Sequence, residues 1–131
     1  MAKTDKLLPA HPGEVLQEEF LKSLQLSHNR LALAVGVHAR RINEIVLKKR
    51  RVTADTALRL AKFFGTSPEF WMGLQADYDL DIAEDTLGDR LEHEVKTYAA
   101  ISGQVQSLVI QLRGSWQKSR ESSMRNASYD L

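Results

Sequence analysis

The chain contains no cysteine. That excludes disulfides, thiolate catalysis and cysteine-ligated metal sites, and makes a reducing, cytoplasmic setting the expected location. Apolar runs of the roughly 20 residues needed to span a bilayer are also missing, so no membrane partner is expected. Residues 1–10 carry lysines but no apolar stretch of signal-peptide length. Period-2 alternation, the mark of a half-buried strand, is absent. There are no internal repeats. The four histidines, at 11, 28, 38 and 93, show no metal-ligand spacing. No phosphate-binding glycine loop appears, and Ser, His and Asp occur in no catalytic order. The expectation is a protein without catalytic residues, metal or cofactor, and not an enzyme.

What is present is helical. Pro12 suits a first helical position, and Leu16, Phe20 and Leu24 lie four apart on one face of a first helix over 12–24. Ser27 is a natural N-cap for a second helix that buries Leu31, Ala32 and Val35. Gly36 can supply the positive φ of a tight turn. A third helix from about His38 to Leu47 would bury Ile42, Ile45 and Val46. Thr53 would cap a fourth helix, with Ala57, Leu60, Ala61 and Phe64 inward and Gly65 at its end. Ser67-Pro68 opens a fifth, with Trp71, Leu74 and Tyr78 as its stripe. Beyond residue 80 a helix over 83–100 and another over 104–118 are expected, separated at Gly103. By composition the polar tail 119–131 reads as mobile.

The organisation predicted is a flexible arm (1–10), a five-helix all-α domain (11–80) and a helical extension with a polar tail (81–131). The extension is expected to serve dimerisation or partner binding. The fold class is all-α.

Net charge is only +1, but it is segregated. Residues 38–51 hold Arg40, Arg41, Lys48, Lys49, Arg50 and Arg51 against Glu44 alone, a local net of +5. Residues 77–94 hold eight acids against Arg90, a local net of −7. Two opposite fields imply two different surfaces, the acidic one suited to a basic partner.

The stretch 27–51 carries the chemistry. Helix, glycine turn and helix within this length let the second helix enter a major groove of double-stranded DNA while the first crosses the backbone. Ala39, Arg40, Asn43 and Glu44 fall on its outward face, with Arg41 at the border; these are the candidate base contacts. Arginine reads guanine O6 and N7, and asparagine can read adenine in bidentate fashion. Glu44 can either accept from a cytosine amino group or orient Arg40 or Arg41. Lys48, Lys49, Arg50 and Arg51 suit phosphates, as do Ser27 and His28 at the start of the second helix. Tyr78 and Leu80 are candidates for a dimer seam.

The run Leu31-Ala32, Gly36-Val37, Ile42, Ile45 and Lys49-Arg50 resembles the Xre/Cro type of helix-turn-helix. The wider frame is more specific. His11-Pro12-Gly13-Glu14, Ala57-Leu58-Arg59-Leu60-Ala61 and Phe70-Trp71-Met72-Gly73-Leu74-Gln75 with Tyr78-Asp79-Leu80 resemble the HigA/VapI antitoxins over about residues 11–100. The resemblance implies a homodimer on a palindromic operator in its own promoter. It also implies a HigB partner, a RelE-like mRNA-cleaving toxin neutralised by binding. A regulator of the same fold without a toxin is the alternative. Two positions depart from the family pattern: His38 stands where serine or threonine usually opens the recognition helix, and Lys48 where glycine often ends it.

Overall fold

The computed structural model describes residues 10–98 and 102–129, and for 102 and 121–129 the backbone alone. The expected arm, residues 1–10, lies outside the described residues except for Ala10. Every described element is helical. The chain divides into two compact units between Gly88 and Asp89.

In the first unit, helix α1 runs from Pro12 to Leu24 in three pieces: Pro12–Val15 is α-helical, Leu16–Leu21 winds as a π turn, and Lys22–Leu24 returns to α. The His11 ring caps it, Nδ1 accepting from Gly13 N at 2.9 Å. The π turn corrects the expected stripe. One extra residue in a turn rotates everything after it by about 100°. Leu16 and Leu21, five apart, are therefore the buried pair, while Leu24 is 58% exposed. Phe20 stays half-buried against Phe64 and Trp71, with ring centroids 4.7 and 5.1 Å away.

Helix α2 spans His28–Val35, with Ser27 Oγ accepting from Arg30 N at 3.1 Å. Gly36 ends it at φ 75. Helix α3 spans Ala39–Val46 and buries Ile42 and Ile45 completely; Val46 is only half-buried. Helix α4 is Ala54–Phe64, and Thr53 at its N-cap makes no side-chain cap bond. Helix α5 is Pro68–Leu87, opened by Ser67 Oγ accepting from Phe70 N. Leu16, Leu31, Ile42, Ile45, Leu60 and Trp71 form the centre of one core. Trp71 is fully buried and its Nε1 donates to Thr66 Oγ1 at 2.8 Å, so the indole's one polar atom is satisfied.

The α5 helix does not stop near residue 80 but continues to Leu87, and the chain divides at 88/89 rather than 80/81. Residues 81–87 contain no proline or glycine, so nothing local ends the helix before Gly88. In the second unit the helix expected over 83–100 is replaced by a short α6, Arg90–Glu94, followed by non-helical residues 95–98. Helix α7 then runs as one piece over Ser102–Tyr129. Gly103 stands in its first described turn, close to the separation expected there, and the helix takes in most of the tail expected to be mobile. Arg, Glu, Met and Ala in the tail are good helix formers, and no proline breaks the run.

Candidate nucleic-acid interface

Helix α2, the Gly36 turn and α3 form a helix-turn-helix. Its turn is braced from α4: Arg59 Nη1 donates to Val35 O at 2.8 Å and to Gly36 O at 3.3 Å, tying down carbonyls at the end of α2. With Ile42 and Ile45 buried, α3 must present its other face outward. Arg40, Asn43 and Leu47 are exposed there, and Ala39, Arg41 and Glu44 are half-buried.

The loop after α3 is fixed by backbone bonds. Lys49 N and Arg50 N both donate to Glu44 O, at 2.8 and 3.2 Å. Lys48 takes the left-handed conformation, φ 63. Glycine would occupy that conformation without strain. Further on, Val52 N donates to Gln75 Oε1 of α5 at 2.7 Å.

Five of the six cations of residues 38–51 are paired with acids. The Glu44 carboxylate meets Arg40 Nε at 2.7 Å and Arg50 Nε at 3.4 Å. Asp55 meets Arg41 Nη1 at 2.7 Å and Arg59 Nε at 3.1 Å. Arg51 pairs with Asp79 at 2.8 Å and Lys48 with Glu14 at 3.6 Å. Among the described residues no acid pairs with Lys49. The hydrogen bond from Arg40 holds the Glu44 carboxyl below its ordinary value, and those from Arg41 and then Arg59 do the same for Asp55. These pairs are solvent-exposed. Such pairs contribute little to stability and exchange readily for another anion.

The chemistry on offer is therefore hydrogen-bond donation from a projecting helix, beside a row of cations held loosely by exchangeable acids. Residues 18–71 match the family model for the helix-turn-helix. The chain is 53% identical to virulence-associated protein I of Dichelobacter nodosus over 78 residues, 59% of this chain and 72% of that protein. It is 38% identical to the antitoxin HigA-1 of Vibrio cholerae over 80 residues, 61% of this chain and 74% of that one. The structure of the Pseudomonas aeruginosa antitoxin HigA with the higBA promoter superposes with a TM-score of 0.66 at 43% identity, covering 69% of this chain and 98% of that one. The chain belongs to the HigA-type antitoxins.

In this HigA-type chain the structure brings together most of the residues singled out from sequence. Arg40, Glu44 and Arg50 form one cluster. Arg41 is drawn aside to Asp55. Of the two roles open to Glu44 from sequence, the orienting one matches its contacts, and its partners are Arg40 and Arg50 rather than Arg41. Ser27 Oγ is engaged as a cap. His28 is half-buried, with Nδ1 2.6 Å from Asn43 Oδ1 and Nε2 2.8 Å from Gln17 Oε1. Tyr78 is half-buried and stacks edge-on against His11, centroids 4.8 Å apart; Leu80 is 61% exposed.

Sequence reasoning gave no site role to Glu14, Arg59, Gln75 and Asp79, which it used for the family resemblance, and did not single out Gln17 or Asp55. Only one local signal existed. Asp55 and Arg59 stand four apart with the acid first, a favourable helix pair. Their reach to Arg41 and to the α2 carbonyls is tertiary and leaves no mark on the local pattern.

Proposed function

We propose that this chain is the antitoxin of a type II toxin–antitoxin module. As a homodimer it binds a palindromic operator in its own promoter, represses its operon, and neutralises a RelE-like, mRNA-cleaving HigB toxin by binding it. One observation carries the DNA part: Glu44 holds Arg40 of the helix and Arg50 of the loop side by side, so base-reading and phosphate-binding cations share one edge of α3. The Pseudomonas relative, solved with its promoter, supports the same reading.

The division of labour follows from placement. Arg40 and Asn43 are the exposed polar side chains of α3 and meet base edges in the major groove, flanked by Ala39, Arg41 and Glu44. Lys48, Lys49, Arg50 and Arg51, with the Ser27 end of α2, follow the phosphates and supply salt-dependent affinity. Leu80 and the outer edge of Tyr78 form the seam between two copies, which sets two recognition helices about one DNA turn apart.

The test is a titration of the purified protein against DNA from its own promoter at two salt concentrations, with and without the product of the neighbouring gene. Specific binding that the product alters supports the autoregulating antitoxin. Specific binding indifferent to it leaves a regulator without a toxin. Arg40→Ala is expected to relax base preference, by roughly 1–3 kcal/mol at one position. Lys49→Ala should weaken binding to every sequence and flatten the salt dependence. Equal behaviour of the two variants would refute the division.

A further inference from the structure

We propose that His28 is a positioning residue for base recognition: bridging Gln17 and Asn43, it fixes the Asn43 amide so that its amino end faces a purine N7 in the major groove. This rests on the DNA-binding reading above and departs from the phosphate contact expected of His28 by its place at the start of α2.

Three elements meet at the ring. His28 opens α2, Gln17 belongs to the π turn of α1, and Asn43 stands on the outward face of α3. Both ring nitrogens are engaged, at 2.6 Å with Asn43 Oδ1 and at 2.8 Å with Gln17 Oε1. A neutral imidazole has two polar atoms and a charged one has two N–H groups. Either way nothing on the ring is left for a phosphate oxygen unless one of these bonds breaks. With Nδ1–H donating to Asn43 Oδ1, the neutral ring takes a donor from Gln17, whose amide turns to present its amino group. The charged ring donates to both carbonyls. A neutral ring with its hydrogen on Nε2 would instead turn the Asn43 amide over and present Oδ1 outward; in both of the forms above Asn43 keeps the same orientation.

That orientation carries the consequence. An asparagine amide turns easily about its last torsion, which is broad and roughly two-fold. Asn43 is exposed, so an unheld amide would sample both ends toward DNA and lose that freedom on binding. Held by His28, its Oδ1 faces the protein and its Nδ2 hydrogens are the unengaged end. Those hydrogens match acceptors, and purine N7 is the major-groove acceptor common to adenine and guanine. The bidentate adenine contact considered from sequence needs the Oδ1 end turned to the base as well. Gln17 supports the ring from behind. The π turn aims Gln17 at His28, while Leu16 and Leu21 anchor that turn in the core.

The experiment measures binding of the full chain to a duplex of its own promoter, with each half-site purine in turn replaced by its 7-deaza analogue. In the unsubstituted protein, apart from any guanine whose N7 Arg40 reads and whose penalty Arg40→Ala removes, one replacement should weaken binding about fivefold, the loss of one hydrogen bond. Asn43→Ala should remove that penalty. His28→Ala should also reduce it to under about twofold, with the salt dependence unchanged. Gln17→Leu, which leaves His28 and Asn43 in place, should reduce it in part. Thermal melts establish that each variant is folded; should His28→Ala fail to fold, His28→Gln, which can still reach Asn43, is expected to retain part of the penalty. A His28→Ala variant that keeps the full penalty overturns the proposal. So does one that weakens all sequences alike with a shallower salt slope, since that is a phosphate contact. Equal sensitivity to deleting the adenine amino group would restore the bidentate reading against ours. No preference for promoter over random DNA in the unsubstituted protein would instead remove the DNA-binding reading itself, and the proposal with it.

Discussion

Val52 N donates to Gln75 Oε1 at 2.7 Å, and Gln75 Nε2 donates in turn to Asp79 Oδ1 at 2.9 Å. Asp79 pairs with Arg51, the residue before Val52, at 2.8 Å. Two neighbours in the loop are thus pinned to two residues one turn apart on α5. Gln75 is 2% exposed and Val52 fully buried. A buried N–H without its acceptor bears its full desolvation penalty. Gln75→Ala is expected to cost about 1–3 kcal/mol in urea unfolding. Arg51→Ala, which removes only an exposed pair, should cost under about 1 kcal/mol. A Gln75 variant no less stable than the parent would show that water replaces the amide.

The basic loop stores strain at Lys48. Its φ of 63 is in the left-handed region, which costs a residue with a Cβ roughly 1–2 kcal/mol. Lys48→Gly should raise stability by about 1 kcal/mol, since the pair it loses, 3.6 Å from Glu14, is exposed. The same variant should bind DNA more weakly, with a salt slope lower by roughly 0.9 if Lys48 meets one phosphate. Stability and binding moving together in either direction would contradict this account.

Glycines divide sharply between positions. A Cβ at Gly13 would lie 1.8 Å from Ile45 O, a backbone atom with no room to yield. Gly13→Ala should therefore cost about 3 kcal/mol or more, because α1 and α3 would have to separate. At Gly73, within α5, an added Cβ meets nothing within 4 Å. Gly73→Ala should stabilise by about 0.5–1 kcal/mol through the helix backbone alone. Circular dichroism melts of the two variants test both signs at once.

The five helices of the first unit were legible because each rests on a local signal: Ser27 and Ser67 as caps, Gly36 and Gly65 as stops, and apolar residues at helical spacing. The outward face of α3 followed from the buried positions of Ile42 and Ile45. The register of α1 did not, since Leu16, Phe20 and Leu24 fit an ordinary helix as well as the π turn the packing imposes. Likewise nothing local announces that Asp55 takes Arg41, or that His28 joins Gln17 to Asn43. Those contacts depend on which helices become neighbours. The C-terminal third misled for the opposite reason: the four-residue apolar spacing over 83–100 reads as one helix, but the chain leaves the helix at Gly88 and is non-helical over 95–98, while Gly114, at a cost of only about 1 kcal/mol, is carried inside Ser102–Tyr129.

Acid should weaken the fold through His11. The ring is 4% exposed, and burial, with the Lys48 charge second, lowers its pKa below 6.5 against the opposing pull of Asp79 and Glu14. Its Nδ1 must stay unprotonated to accept from Gly13 N. The unfolded chain therefore takes up a proton first as pH falls. Stability from this group is complete above about 6.5 and declines below it toward the folded value. The urea midpoint should drop between pH 7.5 and 5.5. His11→Asn, which keeps a capping oxygen but does not titrate, should show a smaller drop. Equal drops would place the acid sensitivity elsewhere.

Glu44 restrains the cations it orients. Its carboxylate lies between Arg40 and Arg50, and the Arg40 hydrogen bond lowers its pKa, so it is ionised wherever the protein is folded near neutral pH. That negative charge repels phosphate while keeping both guanidinium groups in one place. Glu44→Gln retains a hydrogen-bond acceptor and removes the charge. Binding to random DNA should strengthen, most of all at low salt, because the cations no longer exchange an internal anion for a phosphate. Promoter DNA should gain less, since Arg40 is then less firmly aimed, and the ratio between the two affinities should narrow. A cytosine contact by Glu44 predicts a different result: affinity would fall at one base pair and remain unchanged on random DNA. Competition binding at two salt concentrations separates the two, because only charge removal acts on every sequence.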